Sequence, residues 1–373
     1  MTATNQLDTR LIGCDLGHGG CKAAEIQMVT TTQGVTERQM VTTAIPSIVA
    51  MGTTTSTGAL RLDGIVRTGK DRSARPSVVQ FAGTSYLVGP SVHKFARPVE
   101  RMDFDRFVEG TDTRALLYAA LWPIVDGGSH TLKVALALPV EILLDRAQAH
   151  AVQDGMKQWM IGTHTFTLDG IPATFDIAAI RATAAQPLAG WFSWGLNNNG
   201  QWCQGNDAAK APTLIIDIGM NTLDLVAIEG AQISTRYTGG QNLGMRRTAE
   251  LITDTIHATH GLDLTLHEAD DLTRQVVNGQ KAHVFMEGKA VDVTATVRHA
   301  LQAHGTEIVR YVEAKIDKAR QFSILLVGGG ALAHGDRLRR QWKHAVTVDH
   351  PVTANAEGLA KMANRPNYFA RIS

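Results

Sequence analysis

An α/β fold built from two related halves is what this sequence predicts, and three observations predict it. A strand, glycine turn, strand pattern occurs twice, around Asp15-Leu16-Gly17-His18-Gly19-Gly20 and around Asp217-Ile218-Gly219-Met220-Asn221-Thr222. One offset of 202 positions relates Asp15, Gly17 and Lys22 to Asp217, Gly219 and Asp224. Between and after the two copies, strand-like and helix-like segments alternate, as they do where helices cover buried sheets and ligands sit beyond the strand ends. A single recurrence at half the chain length marks paired domains, because solenoid repeats run about 20–50 residues.

The elements follow in order. Leu11-Ile12-Gly13-Cys14 is an apolar run that ends at the first turn, and Cys21-Lys22-Ala23-Ala24-Glu25-Ile26 resumes after it, so both flanks read as strands. Thr53 to Pro76 is rich in Thr, Ser, Gly and Arg with little apolar periodicity and reads as a mobile surface loop. Asp112 to Trp122 predicts a helix ended by Pro123, and Leu132 to Pro139 a buried strand ended by proline. In the second half, Thr213-Leu214-Ile215-Ile216 enters the second turn and Leu223 to Ile228 leaves it. Helices are expected from Arg246 to Thr259 and from Val297 to Lys318. Phe322 to Val327 then forms a strand that feeds Gly328-Gly329-Gly330-Ala331-Leu332, a triglycine turn opening a helix.

Composition excludes several classes. With 373 residues, 44% of them hydrophobic and 19% charged, the chain has material for more than one packed core. Its 36 Lys+Arg against 35 Asp+Glu leave a net charge of +1, without the excess that drives direct DNA coating or adhesion to an acidic membrane. Three cysteines, Cys14, Cys21 and Cys203, make no disulfide framework, and a reducing cytoplasm suits them. Met1 to Arg10 is polar, and no stretch reaches the roughly 18 apolar residues of a membrane span.

The turns carry the chemistry. Glycine lets a backbone approach a ligand closely, and successive free N–H groups make an anion-binding concavity. Three such turns facing one cleft suit the phosphates of a nucleotide. Asp15 and Asp217, one at each hairpin mouth, are candidates to hold Mg²⁺ through its waters, and Lys22 to neutralise phosphate charge. Any one of these turns alone is ordinary hairpin chemistry.

In that order the motifs resemble the superfamily of actin, heat-shock chaperone and sugar-kinase ATPases. The first phosphate motif is similar to Asp15-Leu16-Gly17-His18-Gly19-Gly20-Cys21-Lys22, the second to Asp217-Ile218-Gly219-Met220-Asn221-Thr222-Leu223-Asp224, and the adenosine motif to Gly328-Gly329-Gly330-Ala331-Leu332. Ile45-Pro46-Ser47, Gly239-Gly240 opening the helix after the second hairpin, and Ala354-Asn355-Ala356-Glu357-Gly358-Leu359-Ala360 resemble the ParM-like, plasmid-segregating group of bacterial and archaeal actin-like proteins. The last segment resembles a second connecting motif, whose small residues let a C-terminal helix cross back against its partner. Residues 53–110 and 263–295 match only vaguely.

The resemblance implies a two-domain actin-like, ribonuclease H-like fold with a nucleotide cleft between the domains. Residues 1–188 form domain I, with a smaller subdomain at about 40–110, and residues 189–352 form domain II, with a smaller one at about 245–298. Residues 353–373 return to domain I. It also implies ATP, with GTP as the alternative, bound with Mg²⁺ through the three turns and Gly239-Gly240. Ala184-Ala185-Gln186-Pro187-Leu188-Ala189-Gly190 takes the place of the first connecting segment, where Gln186 would orient the attacking water and Asp217 polarise it. Slow hydrolysis controlling a head-to-tail filament follows, with DNA reached through an adaptor protein and not directly. A non-polymerising nucleotide switch of the same fold and a small-molecule kinase are the alternatives.

Other residues have plainer readings. His18 reads as a solvent-facing turn residue before a metal ligand, and Gln186 outside its motif as a helix cap or a helix-surface side chain. Arg61, Arg67, Lys70, Arg72 and Arg75 make a basic loop that is either solvated or a contact surface. Phe104 and Phe107, among Asp103, Asp105 and Arg106, either pack under a loop or meet another subunit. Asp224 reads as a strand-end carboxylate or as a contact to the metal's water shell.

Overall fold

The computed structural model describes residues 9–370 except 33, 53–74, 100–103, 126–127 and 231. The basic loop therefore lies, apart from Arg75 and Pro76, outside the described residues, as does Asp103.

Nine strands form the first sheet: β1 (Arg10–Leu16), β2 (Gly20–Thr30), β3 (Thr36–Pro46), β4 (Val49–Met51), β5 (Ser77–Phe81), β6 (Thr84–Val88), β7 (Gly128–Leu138), β8 (Gly162–Leu168) and β9 (Ile171–Ala185). Their order is β3-β2-β1-β7-β9-β8-β5-β6-β4. The second half provides β10 (Thr213–Ile218), β11 (Leu223–Glu229), β12 (Gln232–Ile233), β13 (Gly239–Gln241), β14 (His283–Met286), β15 (Lys289–Asp292), β16 (Ser323–Val327) and β17 (Val346–Thr347). Of these, β14 and β15 pair only with each other, and the rest form a sheet ordered β12-β11-β10-β16-β17, with β13 beside β11.

The two sheets share one wiring. The run β3-β2-β1 is antiparallel and β1-β7-β9 parallel; β12-β11-β10 is antiparallel and β10-β16-β17 parallel. The 202-residue offset is thus a structural repeat. Asp15 pairs across its hairpin with Lys22, and Asp217 in the same register with Asp224.

Three large cores lie behind this arrangement. One packs the helix Thr111–Val125 against the first sheet through Leu116, Leu117 and Leu121. Another joins the second sheet to the helices Thr294–Lys315 and Gly330–Gln341 through Ile308, Val312 and Leu338. A third, around Ile252, Ile256 and Val297, gathers the helices Arg246–His260 and Leu266–Val277 with β14. The helix Ala354–Ala363 lies on β1 and on the helix Gln186–Gly195, and glycine permits the approach. A Cβ on Gly13 would stand 2.2 Å from the Ala356 carbonyl oxygen, and one on Gly358 would stand 1.8 Å from that of Ala189.

Several boundaries differ from expectation. Pro123 lies inside its helix, which runs on to Val125 because Ile124 and Val125 are buried. A proline near the end removes one hydrogen bond, and the packing offsets that loss. Gly239 and Gly240 do not open a helix; they pair with Leu225 and Asp224 as β13, and the helix starts at Arg246. The long helix begins at Thr294, three residues early, where Asp292 Oδ1 accepts the Thr294 N–H at 2.9 Å. Phe107 is a core residue and Phe104 packs beside it, whereas Asp105 is exposed and Arg106 is buried.

Candidate functional site

All three glycine turns open onto one cavity of about 330 Å³. Of the residues singled out in the sequence, Asp15, Gly17, His18, Gly19, Gly20, Lys22, Gln186, Asp217, Gly219, Met220, Asn221, Thr222, Asp224, Gly328, Gly329 and Gly330 line it. Gly239, Gly240 and Ala331 do not. The first two are taken up in the β13 edge pairing, and Ala331 is 2% exposed in the second core.

Local hydrogen bonds fix the turns. Ser47 Oγ donates to the Gly17 carbonyl at 2.7 Å, which explains the serine after Ile45-Pro46. On the second hairpin, the N–H groups of Gly244, Met245 and Arg246 donate to the carbonyls of Asn221, Gly219 and Met220. The hairpins meet where a Cβ on Gly19 would lie 2.5 Å from Met220 Cβ. Gly328 has φ 82°, and a Cβ there would lie 2.3 Å from Asp217 Oδ1, so glycine serves both the turn and the approach.

Four donor side chains, on three carboxylates, organise the floor. Lys22 Nζ donates to Asp15 Oδ2 at 3.1 Å, and Gln186 Nε2 to Asp15 Oδ1 at 2.7 Å. Gln186 is the first residue of its helix and is buried, so it is no surface side chain. Asn355 Nδ2 donates to Asp217 Oδ2 at 2.8 Å, and Thr222 Oγ1 to Asp224 Oδ2 at 2.7 Å.

The electrostatics follow from burial. Asp15, Asp217 and Asp224 are 2%, 5% and 2% exposed. Burial pushes Asp217 up to about 6, with Asp15 adding to the rise and the Asn355 hydrogen bond and Lys22 opposing it. Asp224 rises to about 7 through burial, with Asp217 and Glu141 adding to it against the Thr222 hydrogen bond. Burial is the largest single influence on Lys22 and pulls it down, but the charge and hydrogen bond of Asp15 together with the charge of Asp217 leave the ammonium raised. The cavity floor thus has carboxylates in excess of the ammonium that touches them, a place suited to a cation, and glycine turns line the same cavity.

His18 is not solvent-facing. It is half-buried, with its ring 6.2 Å from that of Phe104 and edge-on to Phe107 at 6.4 Å. Cys14 and Cys21 are fully buried, and their mutual hydrogen bond, with burial, holds the Cys14 thiol well above its usual range. The described residues contain no group of three or more His, Cys, Asp or Glu arranged to hold a metal.

Sequence reasoning missed part of the wall. Asp270, Thr273, Arg274, Val277 and Asn278 line the cavity from the helix Leu266–Val277 and its end, as do Leu332 and Ala333. They carry no glycine signature. Asn355 lies in the segment Ala354–Ala360, whose small residues signal helix packing and mask the amide.

Comparison with known families now fixes the class. The model described as actin-like proteins, N-terminal domain, matches residues 13–188, and the archaeal actin homologue MreB-like, C-terminal model matches residues 215–340. The chain belongs to the actin-like proteins, with the ParM-like members among those that share its fold. Ta0583, an archaeal actin homologue, superposes with a TM-score of 0.68 at 18% identity, over 96% of this chain and 100% of that one. Apo pSK41 ParM gives 0.63 at 15% identity, over 95% and 97%. The subunit of a 15-stranded ParM filament from Clostridium botulinum gives 0.67 at 18% identity, over 96% and 99%. No curated protein matches the chain by sequence.

Proposed function

We propose that this protein is a slow ATPase that assembles head to tail into filaments, with ATP and Mg²⁺ bound in the cavity. The observation that best supports this reading is the convergence of three glycine turns above Asp15, Asp217 and Lys22. The backbone of the Gly17–Gly20 and Gly219–Thr222 turns would cradle the phosphates, the Gly328–Gly330 turn would border the adenosine, and Lys22 would neutralise part of the phosphate charge. Mg²⁺ fits the floor because two neighbouring buried carboxylates carry charge that Lys22 leaves uncompensated. Asp15 and Asp217 would hold it through its waters, and when bound it supplies further neutralisation of the phosphate oxygens. Gln186, an amide and so a poor base, would orient the attacking water, which fits slow turnover. ATP is the expected nucleotide, and GTP the alternative.

Residues 1–188 and 189–352 act in this reading as two domains that the nucleotide draws together, with residues 353–373 returning to the first. Closure would set how one subunit fits the next, and a heterologous contact whose rotation does not close gives a filament. A solved relative is an archaeal actin homologue in complex with ADP, and another is a ParM filament, which supports both halves of the proposal. A cytoplasmic role in moving plasmid or other DNA through a separate adaptor fits the net charge of +1. Among the described residues no helix is long and apolar enough to cross a membrane.

Light scattering with sedimentation after addition of ATP and Mg²⁺ tests the proposal. Polymer that appears with ATP and disperses as phosphate is released is the expected result. Protein that binds nucleotide but never sediments at micromolar concentration would favour a non-polymerising switch.

A further inference from the structure

Gln186 and Asn355 occupy equivalent places in the two halves. Gln186 begins the helix that follows β9, and Asn355 is the second residue of the helix that follows β17. In the shared wiring, β9 and β17 are the same strand of the repeat. Each amide donates to the hairpin aspartate of its own half, Gln186 to Asp15 at 2.7 Å and Asn355 to Asp217 at 2.8 Å. Asp15 and Asp217 are themselves related by the 202-residue offset. We infer that Asn355 is a positioning residue for Asp217, fixing the carboxylate that faces the nucleotide-bound cation.

The inference rests on the nucleotide reading above and deepens it. Asn355 is 6% exposed and lines the cavity. An ionised carboxylate only accepts hydrogen bonds, so the amide must turn its nitrogen towards Asp217. Its Oδ1 is then left without a hydrogen-bond partner among the described residues, beside Gly190, where a Cβ would stand 3.1 Å away. The amide cannot drift, because its helix is seated on β1 at Gly13 and on Ala189 at Gly358. A lysine here would neutralise Asp217 and compete with the cation; an amide orients the carboxylate and leaves its charge intact.

Calorimetric titration of Mg²⁺ into the full chain holding a non-hydrolysable ATP analogue tests this. Asn355→Ala is expected to weaken Mg²⁺ binding about tenfold, a larger loss than it causes for the analogue without Mg²⁺. In an Asp217→Asn background the same substitution should have no further effect. Asn355→Ser, whose shorter hydroxyl stops short of Asp217, gives the same readout should the alanine variant fail to fold. A variant that melts earlier but binds Mg²⁺ like the wild type overturns the inference and makes Asn355 a structural tie. Wild-type protein that binds neither analogue nor Mg²⁺ overturns the functional reading itself, a distinguishable result.

Discussion

Lys22 Nζ stands 3.1 Å from Asp15 Oδ2, and the position that Lys22 holds on the first hairpin is held on the second by an acid, Asp224. Two hairpins of one register therefore differ in charge. The first pairs its aspartate with an ammonium, while the second places two carboxylates side by side, both pushed up by burial. Negative charge thus gathers on the second hairpin and the cation on the first, and a bound metal or phosphate would meet an asymmetric floor.

Asp217 should make the nucleotide-free protein sensitive to pH. Its value in the fold, about 6, lies above the ordinary 3.8, so the folded state holds this proton more tightly than the unfolded chain. Its contribution to stability is complete below about pH 4 and is lost as pH rises through about 6. Asp217→Asn should therefore be more stable than the wild type at pH 8, by on the order of 2–3 kcal/mol, and melt higher. That gap should close by pH 4, as scanning fluorimetry from pH 4 to 8 would record.

His334 should act in the opposite direction. Burial, with His304 and Arg337 adding to it, lowers its imidazole to about 3, and its Nε2 lies 3.1 Å from His304 Nδ1 in a cluster closed by Thr248. A depressed value means stability that is present above the ordinary 6.5 and lost as pH falls. His334→Gln should flatten the acid limb of the denaturation curve between pH 6 and 4, measured by circular dichroism.

Removing Lys22 should harm both fold and site. Lys22→Met leaves Asp15 buried without its cation, a loss of about 3–5 kcal/mol for a broken buried pair. Urea unfolding measures that cost. Fluorescent-nucleotide titration should show a larger loss of affinity for ATP than for ADP, because the extra phosphate brings extra negative charge.

Gln186→Ala should slow hydrolysis about 10²-fold while nucleotide binding persists, and should lengthen filament life in a sedimentation time course. Unchanged phosphate release would move the water-orienting role to another residue.

Gly358→Ala should be severely destabilising, because its Cβ would overlap the Ala189 carbonyl at 1.8 Å and force the two connecting helices apart. Overpacking costs about 1–3 kcal/mol, or more where backbone must move. The expected sign is a lower urea midpoint together with weaker Mg²⁺ binding, since Asn355 shares that helix.

Much of the site was legible because turn chemistry is local. A hairpin mouth needs its aspartate and glycines within a few residues, so Asp15 to Gly20, Asp217 to Thr222 and Gly328 to Gly330 announced themselves, and their offset announced the repeat. Gln186 emerged only through motif context. Gly239-Gly240 misled because a glycine pair signals close approach without saying to what; the fold spends it on β13, where a Cβ on Gly240 would meet Asp224 Oδ1 at 2.5 Å.

Local pattern, then, determined where the glycine turns are and that the hairpin turns repeat, since each is written in adjacent residues. Tertiary structure decided that His18 packs against Phe104 and Phe107, that Val277 and Leu332 face one cavity, and that Asn355 reaches Asp217 across 138 positions. Such contacts depend on how helices seat on sheets through Gly13 and Gly358, and no spacing within a single segment encodes that seat.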